Sequence, residues 1–460
     1  MFVALSFYTH ALMSYSAAID QLNALTQELH TAPGQPRRKF SLDEVRILLR
    51  GLGDPQLRFP SVLIAGTNGK GSTAATLASI LSASGLRAGL YTSPHLIRAN
   101  ERIRVGDVEI SDEEFAANYF RVHAAADRLL ADGELPQPPS YFEILTALGF
   151  LHFAERKIDF AVLEVGMGGR LDATNVVEPA LSIITDISLD HMEWLGSTIS
   201  AITREKAGIL RRGGVLVTLP QHPEANQAIG EAAVELGVQA VSAVAYMPAV
   251  EPADVYEVDA LGARVEVNSP LAGAHQHRNL ALAIAAAVEL RKRNGLPITA
   301  AAIEEGVRNT RWPGRLEKIT RDGVDWILDV AHNPAGAWAL RAGLRGLMGE
   351  NRPKALVFSC LRDKPVAEMA QILFPLFDHV VLAPIHTARA ASVDDLLAAA
   401  KATGTEATQA ESVAAAMATA SKLANGGTIV VSGSVYLVGE ALSLLVRPGT
   451  PLAPQGNERP

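Results

Sequence analysis

The chain has 460 residues, of which 48% are hydrophobic and 20% are charged, and its formal net charge is −8 at pH 7. This length exceeds one ordinary hydrophobic core, so we expect two or three globular domains. Because the chain is acidic and no basic cluster is interleaved with aromatic residues, the composition argues against nucleic acid as the main partner. We expect small-molecule substrates instead.

Cysteine content and hydropathy indicate the compartment. The chain contains a single cysteine, Cys360, which excludes an intrachain disulfide and a multi-cysteine metal site. This fits a reducing compartment, and we expect a cytoplasmic protein. No apolar run reaches the roughly 18 residues that cross a bilayer, so we expect no membrane insertion. The apolar first residues lack the basic residues of a signal peptide, and Met13 is an alternative start.

A glycine-rich loop follows an apolar run near residue 65. The run at 61–65 leads into Gly-Thr-Asn-Gly-Lys-Gly-Ser at 66–72, and an alanine-rich helical pattern comes next. Backbone N–H groups of such a loop, the N-terminus of the helix and the lysine all favour phosphate. Ile64 stands where the general P-loop pattern has its first glycine, so a simple glycine-rich turn is the alternative. ATP is the first ligand to test.

Apolar runs and helical patterns alternate through the first two thirds of the chain. We expect strands at 61–65, 88–91, 160–163, 181–184 and 215–219, and helices at 112–130, 142–154 and 199–210. This alternation predicts an α/β fold with a mostly parallel sheet, whose ligands lie at the carboxyl ends of the strands.

The pattern changes before residue 311 and then restarts. We expect a hairpin at 255–267, a long helix at 277–294 and a hinge at 311–315. Strand patterns at 326–328, 355–358, 380–382 and 428–431 then predict a second, smaller α/β domain. The expected domains are 1–310, in which 1–15 are disordered or a non-native start, and 311–447, followed by a disordered tail at 448–460.

Three polar residues follow predicted strands of the first domain. Glu164 ends an apolar run and precedes glycines, His191 follows the run at 181–184, and Ser93 follows the run at 88–91. A carboxylate at such a strand end can hold magnesium, directly or through water. The alternatives are a helix-capping glutamate and a histidine that is satisfied within the fold.

Lys206 and the second domain supply further candidates. The segment around Lys206 is most simply a helix with surface ion pairs, although a buried lysine near metal ions could react with CO2 to form a carbamate. Asp329 and His332 end a strand just before a proline-started helix, where they could contact a ribose or an amine or merely cap the helix. Ser434 ends the last strand in the same way and could lie in a simple tight turn.

The motifs together resemble the folylpolyglutamate synthase and dihydrofolate synthase family of the Mur ligase superfamily, over about residues 15–447. Seven segments occur in family order. They are Gly-Thr-Asn-Gly-Lys-Gly-Ser, Thr-Ser-Pro-His-Leu, Glu-Val-Gly-Met-Gly-Gly-Arg-Leu-Asp-Ala-Thr-Asn, Asp-His-Met-Glu-Trp-Leu-Gly, Glu-Lys-Ala-Gly-Ile, Trp-Pro-Gly-Arg and Asp-Val-Ala-His-Asn-Pro.

The resemblance implies a P-loop ATPase domain joined to a smaller Rossmann-like C-terminal domain, with the active site between them. It assigns roles to individual residues. For ATP these are Gly69, Lys70, Gly71, Ser72, Asn279, Arg315 and Asp329. For magnesium they are Ser93, Glu164 and His191. Lys206 matches the carbamylated lysine of the family, and His332 and Ser434 match residues that handle glutamate. The segments for dihydropteroate are Ser140, Tyr141, Phe142 and Glu143, and Leu171, Asp172 and Ala173.

The implied reaction adds L-glutamate to dihydropteroate or to reduced folates, through an acyl phosphate. Lys70, Lys206 and His332 are the expected catalytic residues, two magnesium ions the expected metals, and potassium a further candidate. The aromatic pair at 141–142 could stack on a pterin or simply pack its helix. The family suggests a monomer.

Two other functions compete with this reading. Another Mur-type amino-acid ligase would carry a nucleotide-sugar-binding domain, but only about 60 residues precede the P-loop. A P-loop ATPase or switch protein would hydrolyse ATP without an acceptor and leave the segment at 329–334 unexplained.

Overall fold

The computed structural model describes residues 14–25, 41–250, 254–348 and 353–446. The predicted tail at 448–460 and the proposed start at Met13 lie outside these residues, as does nearly all of the segment 1–15. Within the described residues, no helix is both long enough and apolar enough to cross a bilayer.

The first part of the chain builds an eight-stranded sheet. Its strands are β1 (Ser61–Ala65), β2 (Ala88–Tyr91), β3 (Ile103–Val105), β4 (Val108–Glu109), β5 (Phe160–Glu164), β6 (Leu181–Ile184), β7 (Val215–Thr218) and β8 (Gln239–Ser242). The order across the sheet is β4-β3-β2-β5-β1-β6-β7-β8. The pairs among β2, β5, β1, β6, β7 and β8 are parallel, and β3 and β4 add an antiparallel edge.

Helices cover both faces of this sheet. They are α1 (Tyr15–Ala24), α2 (Leu42–Gly51), α3 (Lys70–Ala83), α4 (Asp112–Ala131), α5 (Tyr141–Glu155), α6 (Met192–Leu195), α7 (Ile199–Ala207), α8 (Pro223–Leu236), α9 (His275–Asn294) and α10 (Ala300–Asn309). Side chains of β1 alternate between two cores. Val62 and Ile64 join a core with α3, α9 and α10, whereas Leu63 and Ala65 join one with α1, α2, α4 and α5. Burial on both faces explains the unbroken apolar run of this strand.

A two-stranded hairpin, β9 (Val255–Ala260) and β10 (Ala263–Asn268), packs against the α3–α9–α10 core. Its alternating burial matches the alternating sequence pattern, as expected for a hairpin with one face exposed. The predicted hairpin is therefore confirmed.

The last third of the chain builds a six-stranded sheet. Its strands are β11 (Glu317–Arg321), β12 (Val324–Asp329), β13 (Lys354–Phe358), β14 (His379–Leu382), β15 (Ala407–Gln409) and β16 (Thr428–Ser432), in the order β11-β12-β16-β13-β14-β15. All pairs are parallel except β11 with β12. The covering helices are α11 (Pro334–Leu344), α12 (Val366–Leu373), α13 (Val393–Ala402), α14 (Val413–Ala424) and α15 (Val435–Leu445).

The α/β fold class predicted from the sequence is thus confirmed, with a larger mostly parallel sheet and a smaller one. One predicted helix is too long, because α7 ends at Ala207 rather than at residue 210. A Cβ atom on the next residue, Gly208, would lie 2.3 Å from the Arg170 Cβ, so the chain turns here in close contact with another loop. Tertiary packing, rather than helical pattern, ends this helix.

Candidate active site

The carboxyl ends of the parallel strands in both sheets open into one cleft. It has two connected parts. We call the part lined by the glycine-rich loop the phosphate chamber, with a volume of about 520 Å³, and the part lined by Phe142 and Trp194 the apolar chamber, with about 370 Å³. Residues of both chambers include Ser93, His191 and His332. Side chains from the two sheets therefore face one another across a common space.

The glycine-rich loop forms the N-terminus of α3. Gly69 caps this helix in the left-handed region at φ +88°, and a Cβ there would lie 2.1 Å from Asn279 Oδ1. A Cβ on Gly71 would lie 2.7 Å from the ring of Trp312. Lys70 Nζ donates to the carbonyl oxygens of Gly66 and Thr67, each at 3.2 Å. The loop therefore has the turn, the helix terminus and the cation that bind phosphate.

Replacing Gly69 with alanine is expected to weaken ADP binding at least about tenfold, because the left-handed φ and the Asn279 contact each oppose a Cβ by about 1 kcal/mol or more. Isothermal titration calorimetry with ADP measures this. Gly85→Ala is the matched control, since Gly85 has φ +81° and nothing within 4 Å of its Cβ position. Equal ADP affinity in the two variants would contradict the expectation.

The three predicted metal residues all line the phosphate chamber. The Ser93 backbone N–H donates to Glu164 Oε2 at 3.1 Å, and His191 lines the same phosphate chamber. Burial raises the pKa of Glu164, opposed by the charges of Lys70 and Arg315. Burial lowers the pKa of His191 to about 3, so its imidazole is neutral at pH 7. A carboxylate and a neutral imidazole are both suited to ligate a metal ion.

Lys206 lies inside the protein rather than on its surface. Its side chain is 4% exposed, and Nζ donates to the Gly66 carbonyl oxygen at 2.6 Å, the same carbonyl that Lys70 contacts. Burial, together with the charge of Lys70, lowers the Lys206 pKa to about 7. The surface-helix interpretation is therefore wrong for Lys206, although Arg204 of the same helix does form an exposed ion pair with Glu231.

The remaining predicted ATP residues also line the phosphate chamber. Asn279 donates to Gln276 Oε1 at 2.7 Å, which orients the amide. Arg315 is buried, which lowers its pKa, and Asp329 and Glu164 oppose this shift. The two oxygens of Asp329 accept backbone N–H groups from Leu316 at 2.9 Å and Ala331 at 2.8 Å. Asp329 therefore holds the residue before β11 and the loop after β12, as well as lining the chamber.

The second sheet places His332 and Ser434 on the opposite side of the cleft. Both line the apolar chamber. His332 Nδ1 lies 2.9 Å from the Val330 carbonyl oxygen, which orients the ring. Ser434 caps α15 by accepting from the Tyr436 N–H at 3.2 Å. The alternative role for Asp329 and His332 was to cap α11. Asn333 caps this helix instead, because its side chain accepts from the Gly336 N–H.

The first predicted pterin segment lies at the apolar chamber, although Tyr141 is not among the residues that line it. Phe142 lines the apolar chamber, whereas Tyr141 lies under the guanidinium of Arg102, 5.6 Å from ring centroid to Cζ. Ser140 and Glu143 form the capping box of α5 and also line the chamber.

The second pterin segment follows β5. Asp172 accepts from the Met167 and Thr174 N–H groups and so holds the glycine-rich turn between them. Burial raises the pKa of Asp172, opposed by the hydrogen bond from the Thr174 hydroxyl. Leu171 and Ala173 line the apolar chamber beside this turn.

Asp190 is a site residue that the sequence analysis missed. Its Oδ1 accepts from Lys364 Nζ at 2.6 Å and its Oδ2 from Asn333 Nδ2 at 3.2 Å, and His332 Nε2 lies 3.7 Å from Oδ2. Burial alone would raise the Asp190 pKa, but the His332 contact and the charges around it lower the pKa far below its usual range. Asn333 also donates to Asn68 Oδ1 at 3.0 Å. These contacts tie the second sheet to the loops of the first.

The sequence offered a partial signal for Asp190, which immediately precedes His191 in the segment Asp-His-Met-Glu-Trp-Leu-Gly. Lys364 and Arg102 had none, because Lys364 lies in a turn after β13 and Arg102 ends a short 3-10 helix, and neither segment has a recognisable pattern. Both line the apolar chamber.

Comparison with known proteins identifies the family. Residues 64–287 match the Mur ligase middle domain and residues 314–435 match the Mur ligase, glutamate ligase domain. The dihydrofolate synthase/folylpolyglutamate synthase of Bacillus subtilis is 38% identical, over 78% of this chain and 84% of that protein. The protein of the same name from Escherichia coli is 35% identical, over 73% and 75%.

Solved structures agree. Mycobacterium tuberculosis folylpolyglutamate synthase complexed with ADP superimposes with a TM-score of 0.84 at 32% identity, covering 95% of this chain and 99% of that one. E. coli FolC in complex with DHPP and ADP gives a TM-score of 0.80 at 30% identity, covering 94% and 97%. The chain belongs to the folylpolyglutamate synthase/dihydrofolate synthase family of ATP-dependent Mur ligases.

Proposed function

We propose that this ligase uses ATP to join L-glutamate to dihydropteroate and to reduced folates. The proposal rests on one cleft. The glycine-rich loop lines its phosphate chamber, and His332 and Ser434 of the second sheet line its apolar chamber. The names of the B. subtilis and E. coli relatives include both activities. A bifunctional enzyme needs one chamber that accepts either acid, and we propose that the apolar chamber, of about 370 Å³, is that chamber.

In the first step, an oxygen of the acceptor carboxylate attacks the γ-phosphorus of ATP. A new O–P bond forms, the bond to the bridging oxygen breaks, and ADP leaves with that electron pair. Gly69, Lys70, Gly71 and Ser72 hold the phosphates at the N-terminus of α3, while Asn279, Asp329 and Arg315 also contact ATP. The charges of Lys70 and Arg315 offset the repulsion between carboxylate and phosphate.

In the second step, the glutamate amine attacks the acyl carbon and the carbonyl–oxygen bond to phosphate breaks. Inorganic phosphate leaves with the electron pair and takes up the proton that the amine nitrogen loses, which gives the amide and hydrogen phosphate. His332 and Ser434 hold the incoming glutamate on the second-sheet side of the apolar chamber. The protein supplies no nucleophile, so positioning and charge account for catalysis.

We propose that Ser93, Glu164 and His191 hold the magnesium required by this chemistry. Glu164 is 4% exposed, and among the residues that the structure describes its Oε1 has no hydrogen-bond donor, which suits a cation ligand. Bound magnesium would offset negative charge where phosphate and carboxylate meet. Two magnesium ions and a potassium ion complete the proposed cofactors.

We further propose that Lys206 is carbamylated. Two lysine ammonium groups point at one carbonyl, that of Gly66, and the lowered Lys206 pKa gives a substantial neutral fraction at pH 7. The neutral amine attacks the carbon of CO2, a C–N bond forms and a proton leaves. A cation thereby becomes an anion beside Lys70, which replaces repulsion by attraction.

Release of phosphate from ATP tests the proposed function. Purified protein is incubated with ATP, magnesium, L-glutamate and either dihydropteroate or tetrahydrofolate. Each product is identified by mass spectrometry. We expect glutamate-dependent turnover with both acceptors. Turnover with only one would assign the single activity. ATP hydrolysis that neither acceptor stimulates would overturn the proposal in favour of a switch-type ATPase.

We also propose that the chain divides near residue 310 and acts as a monomer. The strands of the eight-stranded sheet and of the hairpin precede this point, and those of the six-stranded sheet follow it. The predicted hinge at 311–315 lies between them. Separate expression of residues 311–447 would test whether this part folds alone.

A further inference from the structure

Arg102 lies at the wall of the apolar chamber, outside every motif assigned above. It ends a short 3-10 helix (Ala99–Arg102) before β3 and is 8% exposed. The chamber wall beside it includes Ser93, Ser140 and Phe142. An arginine so deeply buried is normally paired with an anion, because its charge is costly to remove from water.

The protein orients this guanidinium without neutralising it. Arg102 Nε donates to His95 Nδ1 at 2.9 Å, and Cζ lies over the ring of Tyr141. Because Nδ1 accepts this hydrogen bond it carries no proton, so the His95 ring is a neutral acceptor. Both partners of the guanidinium are therefore uncharged.

The other two nitrogens of Arg102 remain available. Neither Nη1 nor Nη2 donates a hydrogen bond to any residue in the described part of the chain. Neither nearby carboxylate forms an ion pair with Arg102 among the described residues, and each accepts a backbone N–H through one oxygen. Glu143 accepts from the Ser140 N–H at 2.7 Å, and Glu164 accepts from the Ser93 N–H, although the Arg102 charge is felt at Glu164. Arg102 therefore lines the chamber with a guanidinium whose Nη groups have no anionic partner in the described part of the chain.

We propose that Arg102 binds the carboxylate of the acyl acceptor. Two Nη donors of an arginine fit the two oxygens of a carboxylate, which fixes both position and orientation. Arg102 touches the same chamber as Ser93 and Phe142, so the carboxylate would lie between the aromatic wall and the proposed metal residues. This inference rests on the proposed function, because it identifies which group of the acceptor the chamber recognises.

The experiment compares two ligands that differ only in the carboxylate. Dihydropteroate and the same compound with hydrogen in place of the carboxyl group are titrated against the ADP-bound protein by calorimetry. Wild type is expected to prefer dihydropteroate by about 10- to 100-fold, the usual strength of charge-assisted hydrogen bonds. In Arg102→Met this preference should fall to less than about threefold, and Arg102→Lys should retain part of it.

Two controls keep the outcomes separate. Arg104→Met removes a neighbouring arginine whose Nη2 pairs with Glu109 at 2.9 Å, and it should keep the preference. Affinity for ADP shows that each variant is folded. A preference retained in Arg102→Met overturns the inference. If wild type binds neither compound, the proposed function fails instead, and with it the inference that rests on it.

Discussion

Replacing Lys206 with alanine should lower kcat by a factor on the order of 10² to 10³ and change the affinity for ADP much less. The reason is its position. Lys206 is buried, shares the Gly66 carbonyl with Lys70 and lines the phosphate chamber with Glu164 and His191. If the side chain is carbamylated, alanine removes an anion from the chamber that holds Lys70 and the proposed magnesium site. Added formate, a small carboxylate, should then restore part of the activity.

The matched control is Arg204→Ala on the same helix, since Arg204 pairs with Glu231 at 3.1 Å on the surface. Such exposed pairs contribute about 1 kcal/mol or less, so this variant should keep wild-type kcat. If Lys206→Ala keeps full activity, Lys206 has no role at the reaction centre. Loss of activity without rescue by formate would favour a lysine that only supports the Gly66 turn.

The pKa of Lys206 also predicts how carbamylation depends on pH. Because the pKa is lowered to about 7, the neutral amine rises from a small fraction at pH 6 to most of the population at pH 8. At a fixed concentration of dissolved CO2, protein stripped of CO2 should therefore regain activity faster at pH 8. A ¹³C carbamate signal from labelled CO2, absent in Lys206→Ala, measures the same event. An equal rate at both pH values would contradict this.

Much of the fold and part of the site could be predicted from the sequence, because they depend on patterns of consecutive residues. Strands buried on both faces read as apolar runs, and the expected strands of the first sheet agree with the structure to within one residue at their ends. Since the carboxyl ends of parallel strands meet at one edge, Ser93, Glu164 and His191 could be placed together without knowledge of the packing.

The burial of Lys206 and the site positions of Arg102, Asp190 and Lys364 escaped prediction because they depend on contacts distant in the sequence. Lys206 follows a helical pattern that does not reveal which face will be covered, and Arg102 becomes buried only because α5 brings Tyr141 beneath it. Asp190 and Lys364 are 174 positions apart and meet only when the second sheet docks on the first. Local periodicity carries no information about such a pair.

Breaking the pair between Asp190 and Lys364 should open the cleft and lower kcat more than it lowers the affinity for ADP. The two side chains are 8% and 4% exposed, and removing one partner of a buried pair typically costs about 3–5 kcal/mol. Much of that cost can be avoided if the second sheet moves away and both charges reach water. We therefore expect Asp190→Asn and Lys364→Met to separate the two sheets rather than unfold either one.

Small-angle X-ray scattering measures this separation, since a compact chain of this length has a radius of gyration of about 23 Å. Both variants should exceed the wild-type value, and the exchanged variant Asp190→Lys/Lys364→Asp should return toward it. Asp325→Asn serves as control, because its pair with Lys318 lies within the second sheet and is partly exposed. Unchanged scattering with reduced kcat would mean that Asp190 acts on His332 alone, by holding its imidazole toward the glutamate side of the cleft.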